Sequence, residues 1–426
     1  MTAATWVPKN ITQHSDKPNL WFINYYVFFM AFPCMDFFGF SVTFYFFLFL
    51  LYYKGSMLFE AFTGPFTLRF FFYLFLLGAF ISTFLAVKCD RPPPFQEDLR
   101  FYIQHIYWVS MAAFFIIFGR HLNILELSKF VFFGVTTALF FFYAPFEAEF
   151  RSAIFSINTK PNRNGVLYSC LALIPFAFYY IHKRYERRGA IIFLIIYNLA
   201  IIFTNGRSGT IVFFIETLLI IQILFPLAKI GFKVLLIVFG ILSYMSSSPT
   251  VEPLLQAFAD SIEGANPRLA NLIRGEKEGD LNEDRSWLFR LIMVEKAQEI
   301  NQKYPIFGVG INHFKAMDGS LRFSYINRRV VGMDKFEMNK GSAHNSYYQL
   351  LAENGFFGLG CVLFLAFTPI LTLLFKVVFD QKLTYSDLPQ AALLGISIHW
   401  YSIASFMGGV TWICIGLAIY GLRNKY

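Results

Sequence analysis

A chain of 426 residues that is 56% hydrophobic, 20% aromatic and only 15% charged lies outside the range of soluble globular domains, whose charged fraction is about 25%. Its net charge of +9 does not point to nucleic acid, because the basic residues stand in short clusters beside apolar runs, a distribution that membrane topology imposes. Runs such as 44–53 lack the period-two alternation of a barrel strand. The composition therefore predicts an all-α, polytopic membrane protein, surrounded by bilayer lipids and without a nucleic-acid partner.

In chain order, the first twenty residues are mostly polar and carry no cleavable signal, so the first apolar segment is expected to stay in the mature protein. With about 20 residues per span as the yardstick, about twelve transmembrane helices are expected. They centre on 21–34, 38–53, 68–87, 103–119, 130–144, 166–181, 190–204, 209–228, 231–248, 355–378, 388–407 and 410–422. Residues 21–53 form one apolar block broken by Pro33 and Asp36, which one span plus a re-entrant piece also fits. The five cysteines are scattered singly, as small core hydrophobes rather than a zinc or disulfide framework.

Orientation follows from the short basic loops. The run from His182 to Arg188 is expected in the cytoplasm. Both termini then fall on that side, and the largest polar stretch emerges on the opposite face. The chain accordingly divides into spans one to nine (1–248), a large extracytoplasmic helical loop between spans nine and ten (249–344), and spans ten to twelve (345–426). Two smaller loops, 88–100 and 146–164, share the outer face and could cover a site there.

Inside the long loop, residues 282–303 read as a helix, with Asn282 or Asp284 as its cap and Trp287, Ile292, Val294, Ala297 and Ile300 as its apolar surface. Pro305 stops it, and Gly308-Val309-Gly310 forms a tight turn. Ser342 is the expected cap of the next helix, with His344 in its first turn. Arg207 stands between two apolar spans, where Gly206 and Gly209 let a phosphate approach the backbone and the guanidinium can grip it in fork geometry. Arg290 and Arg285 are rivals for a second such role, since residues five apart on a helix point in different directions. A histidine at a helix start has its protonated form disfavoured by the helix dipole, which suits His344 to serve as a general base. His313 has no such setting, and His105 and His399 read as packing residues. No DxD pair, phosphate loop or nucleophile elbow is present, so neither a metal nor a cofactor is expected.

These pieces together resemble the O-antigen ligase and polymerase superfamily of the bacterial inner membrane. The resemblance covers about 200–365. It is carried by Gly206-Arg207-Ser208-Gly209, by Arg290 ahead of Pro305-Ile306-Phe307-Gly308-Val309-Gly310, and by His344-Asn345-Ser346-Tyr347 with Glu353-Asn354-Gly355. Val294 stands where the family often has tryptophan, so Arg285 stays in play beside Arg290. The resemblance implies a periplasmic-face glycosyltransferase whose donor is an undecaprenyl-pyrophosphate-linked glycan. In it, Arg207 and Arg290 bind the pyrophosphate, Gly308 and Gly310 support the backbone, and His344 activates the acceptor hydroxyl. The acceptor would be lipid A core in a ligase or a lipid-linked repeat unit in a polymerase. A lipid-linked oligosaccharide transporter is a rival of another class, although its usual repeated halves and mid-membrane charges are little in evidence beyond Glu216.

Overall fold

In lipid, a backbone satisfies its own hydrogen bonds by coiling, and the computed structural model is helical among the described residues apart from one antiparallel ladder. That ladder pairs Asp36–Phe37 (β1) with Phe40–Ser41 (β2). The structure describes residues 20–32, 36–37, 40–63, 66–85, 93–143, 163–203, 207–224, 257, 259–261, 263–264, 285–317, 342–379, 381–400 and 409–423. The expected ninth span, Gly206 and the long-loop residues 265–284 and 318–341 lie outside them.

The helices are α1 (Trp21–Ala31), α2 (Val42–Thr63), α3 (Phe66–Phe80), α4 (Phe95–Phe118), α5 (Ile124–Tyr143), α6 (Arg163–Phe203), α7 (Arg207–Leu224), α8 (Arg285–Lys303), α9 (Ser346–Val378), α10 (Leu388–His399) and α11 (Gly409–Arg423). Four are long and apolar enough to cross a membrane: Val42–Ala61 within α2, then α4, α5 and α9. Shorter apolar stretches lie at Trp21–Ala31, Arg69–Leu85, Arg188–Ile201 and Gly409–Leu422. The protein is thus an all-helical membrane protein. α6 breaks at Glu186 (φ 56°, ψ −162°), inside the basic cluster that separates the expected spans at 166–181 and 190–204.

The core lies among α4, α6, α7, α10 and α11, which pack on one another. Trp412, Phe72, Phe75, Phe114 and Phe115 are buried in it. A second, smaller apolar cluster lies under α8. There Ile292, Met293, Ala297 and Ile300 meet Val309, Phe314, Met317, Ala343 and Ala352. Three of the residues expected to form the apolar face of α8 are among them. Lys296 is also buried, its ammonium 4.7 Å from the centre of the Phe314 ring, a cation–π contact that suits a desolvated cation.

The feature that positions everything near this cluster is a break in α9. Gly355 sits at φ +63°, ψ −169°, outside helical geometry. At such a point the carbonyls of Ala352 and Glu353 and the N–H groups of Phe356 and Phe357 lose their helical partners. The segment 305–310, called the strap below, supplies all four replacements. Val309 N–H donates to Ala352 O (3.0 Å), Gly310 N–H to Glu353 O (2.9 Å), Phe356 N–H to Pro305 O (2.8 Å) and Phe357 N–H to Ile306 O (3.1 Å).

Glycine is required on both sides of this seam. Gly308 also has positive φ (+70°), and a Cβ there or at Gly355 would overlap the facing backbone.

The far end of the strap is tied down by side chains from elsewhere. The last turn before the α3–α4 connection widens into a π-turn, Ile81–Leu85, and its Thr83 hydroxyl accepts Ile311 N–H at 3.0 Å. Asn312 donates to Glu97 at 3.1 Å. His313, fully buried, lies 2.9 Å from Asp98 through Nε2 and 2.7 Å from Val309 O through Nδ1. Both ring nitrogens face oxygen atoms.

Replacing Gly355 with alanine is expected to open the seam and destabilise the protein by about 2 kcal/mol or more. Gly360, five positions further along α9, has open space where a Cβ would go. Gly360→Ala should therefore stay within about 0.5 kcal/mol of the parent. Thermal unfolding of the detergent-solubilised variants compares the two directly, and equal melting temperatures would remove the seam's energetic role.

Candidate active site

Asn345, not Ser342, caps α9. Its side-chain oxygen accepts from Tyr347 N–H (3.0 Å) and Tyr348 N–H (3.2 Å), two donors left over by the first helical turn. Ser342 lies before it, outside the helix. His344 is therefore not in the first turn of α9 but just ahead of the cap, with a left-handed backbone (φ 49°). Such a conformation costs a non-glycine residue on the order of 1–3 kcal/mol and persists only where its surroundings dictate it.

They do so on both sides. Ala343 N–H donates to the Gln349 side-chain oxygen at 3.3 Å, and Ser346 N–H donates to Trp400 O at 2.8 Å. The Tyr347 hydroxyl donates to Ser397 O at 2.7 Å. The C-terminal end of α10 is thereby docked against the His344 turn.

The dipole argument for a neutral imidazole loses its geometry once His344 is outside the helix. Another cause takes its place. Partial burial, and then the positive charge of Arg290 on α8, hold the His344 imidazolium below the usual histidine range. Arg290 acts electrostatically on a second imidazole as well, that of His399 at the end of α10. The structure thus brings Arg290, His344 and His399 into one neighbourhood from three separate helix ends. His399 is buried, as its place in an apolar run suggests, and it also feels the Arg290 charge. Its position in the last turn of α10, next to the tryptophan whose carbonyl holds Ser346, was the available signal. His105 does have the packing role expected, buried with Nδ1 2.7 Å from Phe101 O.

The other expected residues fall as follows. Arg207 is the first residue of α7 and Gly209 lies in its first turn. Arg285 is the first residue of α8, and the expected caps Asn282 and Asp284 lie outside the described residues. Gly308 and Gly310 are buried in the strap with their N–H groups taken by Tyr304 O and Glu353 O, so they act by shaping the backbone. α7 packs along α10, and the buried carboxyl of Glu216 lies against Gly395, four residues before His399, with no hydrogen-bond partner among the described residues.

Among the described residues, no group of three or more His, Cys, Asp or Glu side chains is arranged to hold a metal ion. What the neighbourhood does offer is a fixed cation beside an imidazole kept in its basic form. It can hold an anionic group while taking a proton from a hydroxyl next to it.

No curated protein matches the chain. Residues 190–363 match the family model described as O-antigen ligase. That stretch holds Arg207, Arg290, the strap, the broken helix and His344, and over it the chain is similar to the O-antigen ligase family.

Proposed function

We propose that the protein is a glycosyltransferase of the bacterial inner membrane that moves an undecaprenyl-pyrophosphate-linked glycan onto an acceptor hydroxyl at the periplasmic face. The acceptor is lipid A core, which makes it an O-antigen ligase. The observation that carries this reading is the Arg290 charge next to an imidazole whose protonation is suppressed. In the reaction, His344 takes the proton of the acceptor hydroxyl, whose oxygen attacks the anomeric carbon of the donor's reducing-end sugar with inversion. The bond to the pyrophosphate breaks, and undecaprenyl pyrophosphate leaves with the electron pair. Arg207 and Arg290 hold the two phosphates and stabilise the charge that builds there.

Arg290 is named for this role because its charge reaches both His344 and His399, and the side chain of Arg285 lies outside what the structure describes. The case for Arg207 rests on its place at the start of α7, the helix whose Glu216 meets α10 one turn before His399. Twelve spans with cytoplasmic termini, and the boundaries 1–248, 249–344 and 345–426, complete the topology proposed for this reaction.

Polymerisation of lipid-linked repeat units uses the same donor and the same residues, and it is the second reading. The lipopolysaccharide gel of a deletion strain separates the two. A ligase deletion leaves core without repeats, and a polymerase deletion leaves core carrying one. A wild-type ladder in that strain would exclude both.

Arg207→Ala and His344→Ala are expected to abolish attached glycan while membrane levels stay normal. The loss corresponds to about a hundredfold to a thousandfold in rate for an arginine aimed at the leaving group and about 10² to 10⁴ for the base. Arg207→Lys should also be poor, because an ammonium cannot reproduce the fork. Normal glycan profiles in both alanine variants would rule out the assigned chemistry.

The pH dependence has a definite sign. The neutral imidazole is the active form, and its conjugate acid is held below the ordinary histidine value. Transfer should therefore rise with pH through a limb below about 6.5 and be on its plateau at neutral pH. A rate profile of purified protein that climbs only above that value would contradict the role given to Arg290.

A further inference from the structure

The turn that carries His344 is held from inside the protein by a chain of three groups. Ala343 is buried, so its N–H has no water to turn to, and it donates to Gln349 Oε1 at 3.3 Å. A backbone N–H can only donate, which obliges the Gln349 carbonyl to face it and the amide nitrogen to point the other way. There Nε2 donates to Glu353 Oε1 at 3.2 Å. The Glu353 carboxyl, itself buried, also accepts the backbone N–H of Asn312, while its own carbonyl takes Gly310 N–H from the strap. A continuous path of hydrogen bonds therefore runs from the strap, through Glu353 and Gln349, to the peptide that precedes His344.

We propose that Gln349 is a positioning residue for His344: anchored on Glu353, it holds the Ala343 peptide so that the left-handed turn presents the imidazole towards Arg290. The inference rests on the reading of His344 as the base that activates the acceptor. Gln349 touches no substrate in this scheme. Its contribution is to the geometry of the proton transfer, where a misplacement of about 1 Å can cost on the order of a hundredfold in rate. The expected signature is a fall in kcat with KM for the donor almost unchanged, since the phosphate-binding arginines are untouched.

The polarity of the chain supplies its own control. In Gln349→Glu, assayed at a pH where both side chains are ionised, a carboxylate still accepts Ala343 N–H but meets the Glu353 carboxylate with nothing to donate. Adding Glu353→Gln reverses the pair. Residue 353 then donates to residue 349, keeps an oxygen for Asn312 N–H, and every bond of the chain is restored with the same number of atoms.

The test uses full-length protein in lipid nanodiscs, with lipid-linked glycan extracted from cells lacking the protein as donor and purified core lipid as acceptor. Q349A and Q349E should lose about tenfold to a hundredfold in kcat with KM within about threefold, and Q349E/E353Q should recover most of the loss. Full turnover in Q349A, a loss confined to KM, or a double variant no better than Q349E would each overturn the proposal, the last even if the single variants fold poorly. H344A is run alongside. If it keeps its turnover, the base assignment itself fails. If it is inactive while Q349A is normal, only the role of Gln349 is lost.

Discussion

The arrangement depends on one constraint: a broken helix inside an apolar protein must have its free backbone groups satisfied by some other part of the chain. Each buried, unpartnered N–H or C=O costs about 1–3 kcal/mol, and more where water is excluded. At the Gly355 break in α9, Pro305, Ile306, Val309 and Gly310 fill the two missing helical bonds with four of their own. The strap has little freedom left, because a one-residue slip would leave those groups unpaired and bring Gly308 out of register with the only backbone it can approach. A rigid strap also fixes what hangs from it: Phe314 under Lys296, His313 on Asp98, and Asn312 on Glu97 and Glu353.

The chemistry sits one layer away from this seam. His344 occupies a strained turn between two acceptors, the half-buried Gln349 side chain and Trp400 O, and Arg290 reaches it from α8, whose inner face packs on the same strap. His344, Arg290 and His399 are thus held by segments that pack on the strap or on the turn ahead of α9. Strain at a functional residue, held by surroundings that allow little else, is the usual way a fold prepares a group for one task. The π-turn at Ile81–Leu85 is of the same kind, a local departure from the helix that aims Thr83 at the strap.

Much of this was legible locally. Pro305 ends α8 close to where it was expected, the inner face of α8 follows the apolar spacing of Ile292, Ala297 and Ile300, and Gly308 and Gly310 do take positive φ. The start of α9 is not legible locally, because Ser342 and Asn345 are both good caps and nothing nearby in the chain separates them. The Trp400 carbonyl chose Asn345 by taking Ser346 N–H from more than fifty residues away. His313 and His399 were undervalued for the same reason, since Asp98 and Arg290 are distant in sequence.

What the sequence by itself determined was the class of protein and a short set of candidate reactive side chains. Hydropathy, charge clusters, and the order of arginine, glycine-rich strap and histidine are properties of the chain taken a few residues at a time. What only the tertiary structure decided was which groups meet: that His344 lies ahead of its helix, that burial and then Arg290, rather than the dipole, suppress its protonation, and that a strap heals the break at Gly355. Those outcomes depend on burial and on hydrogen bonds between segments far apart, where the energy of a buried polar group is set by its neighbours in space.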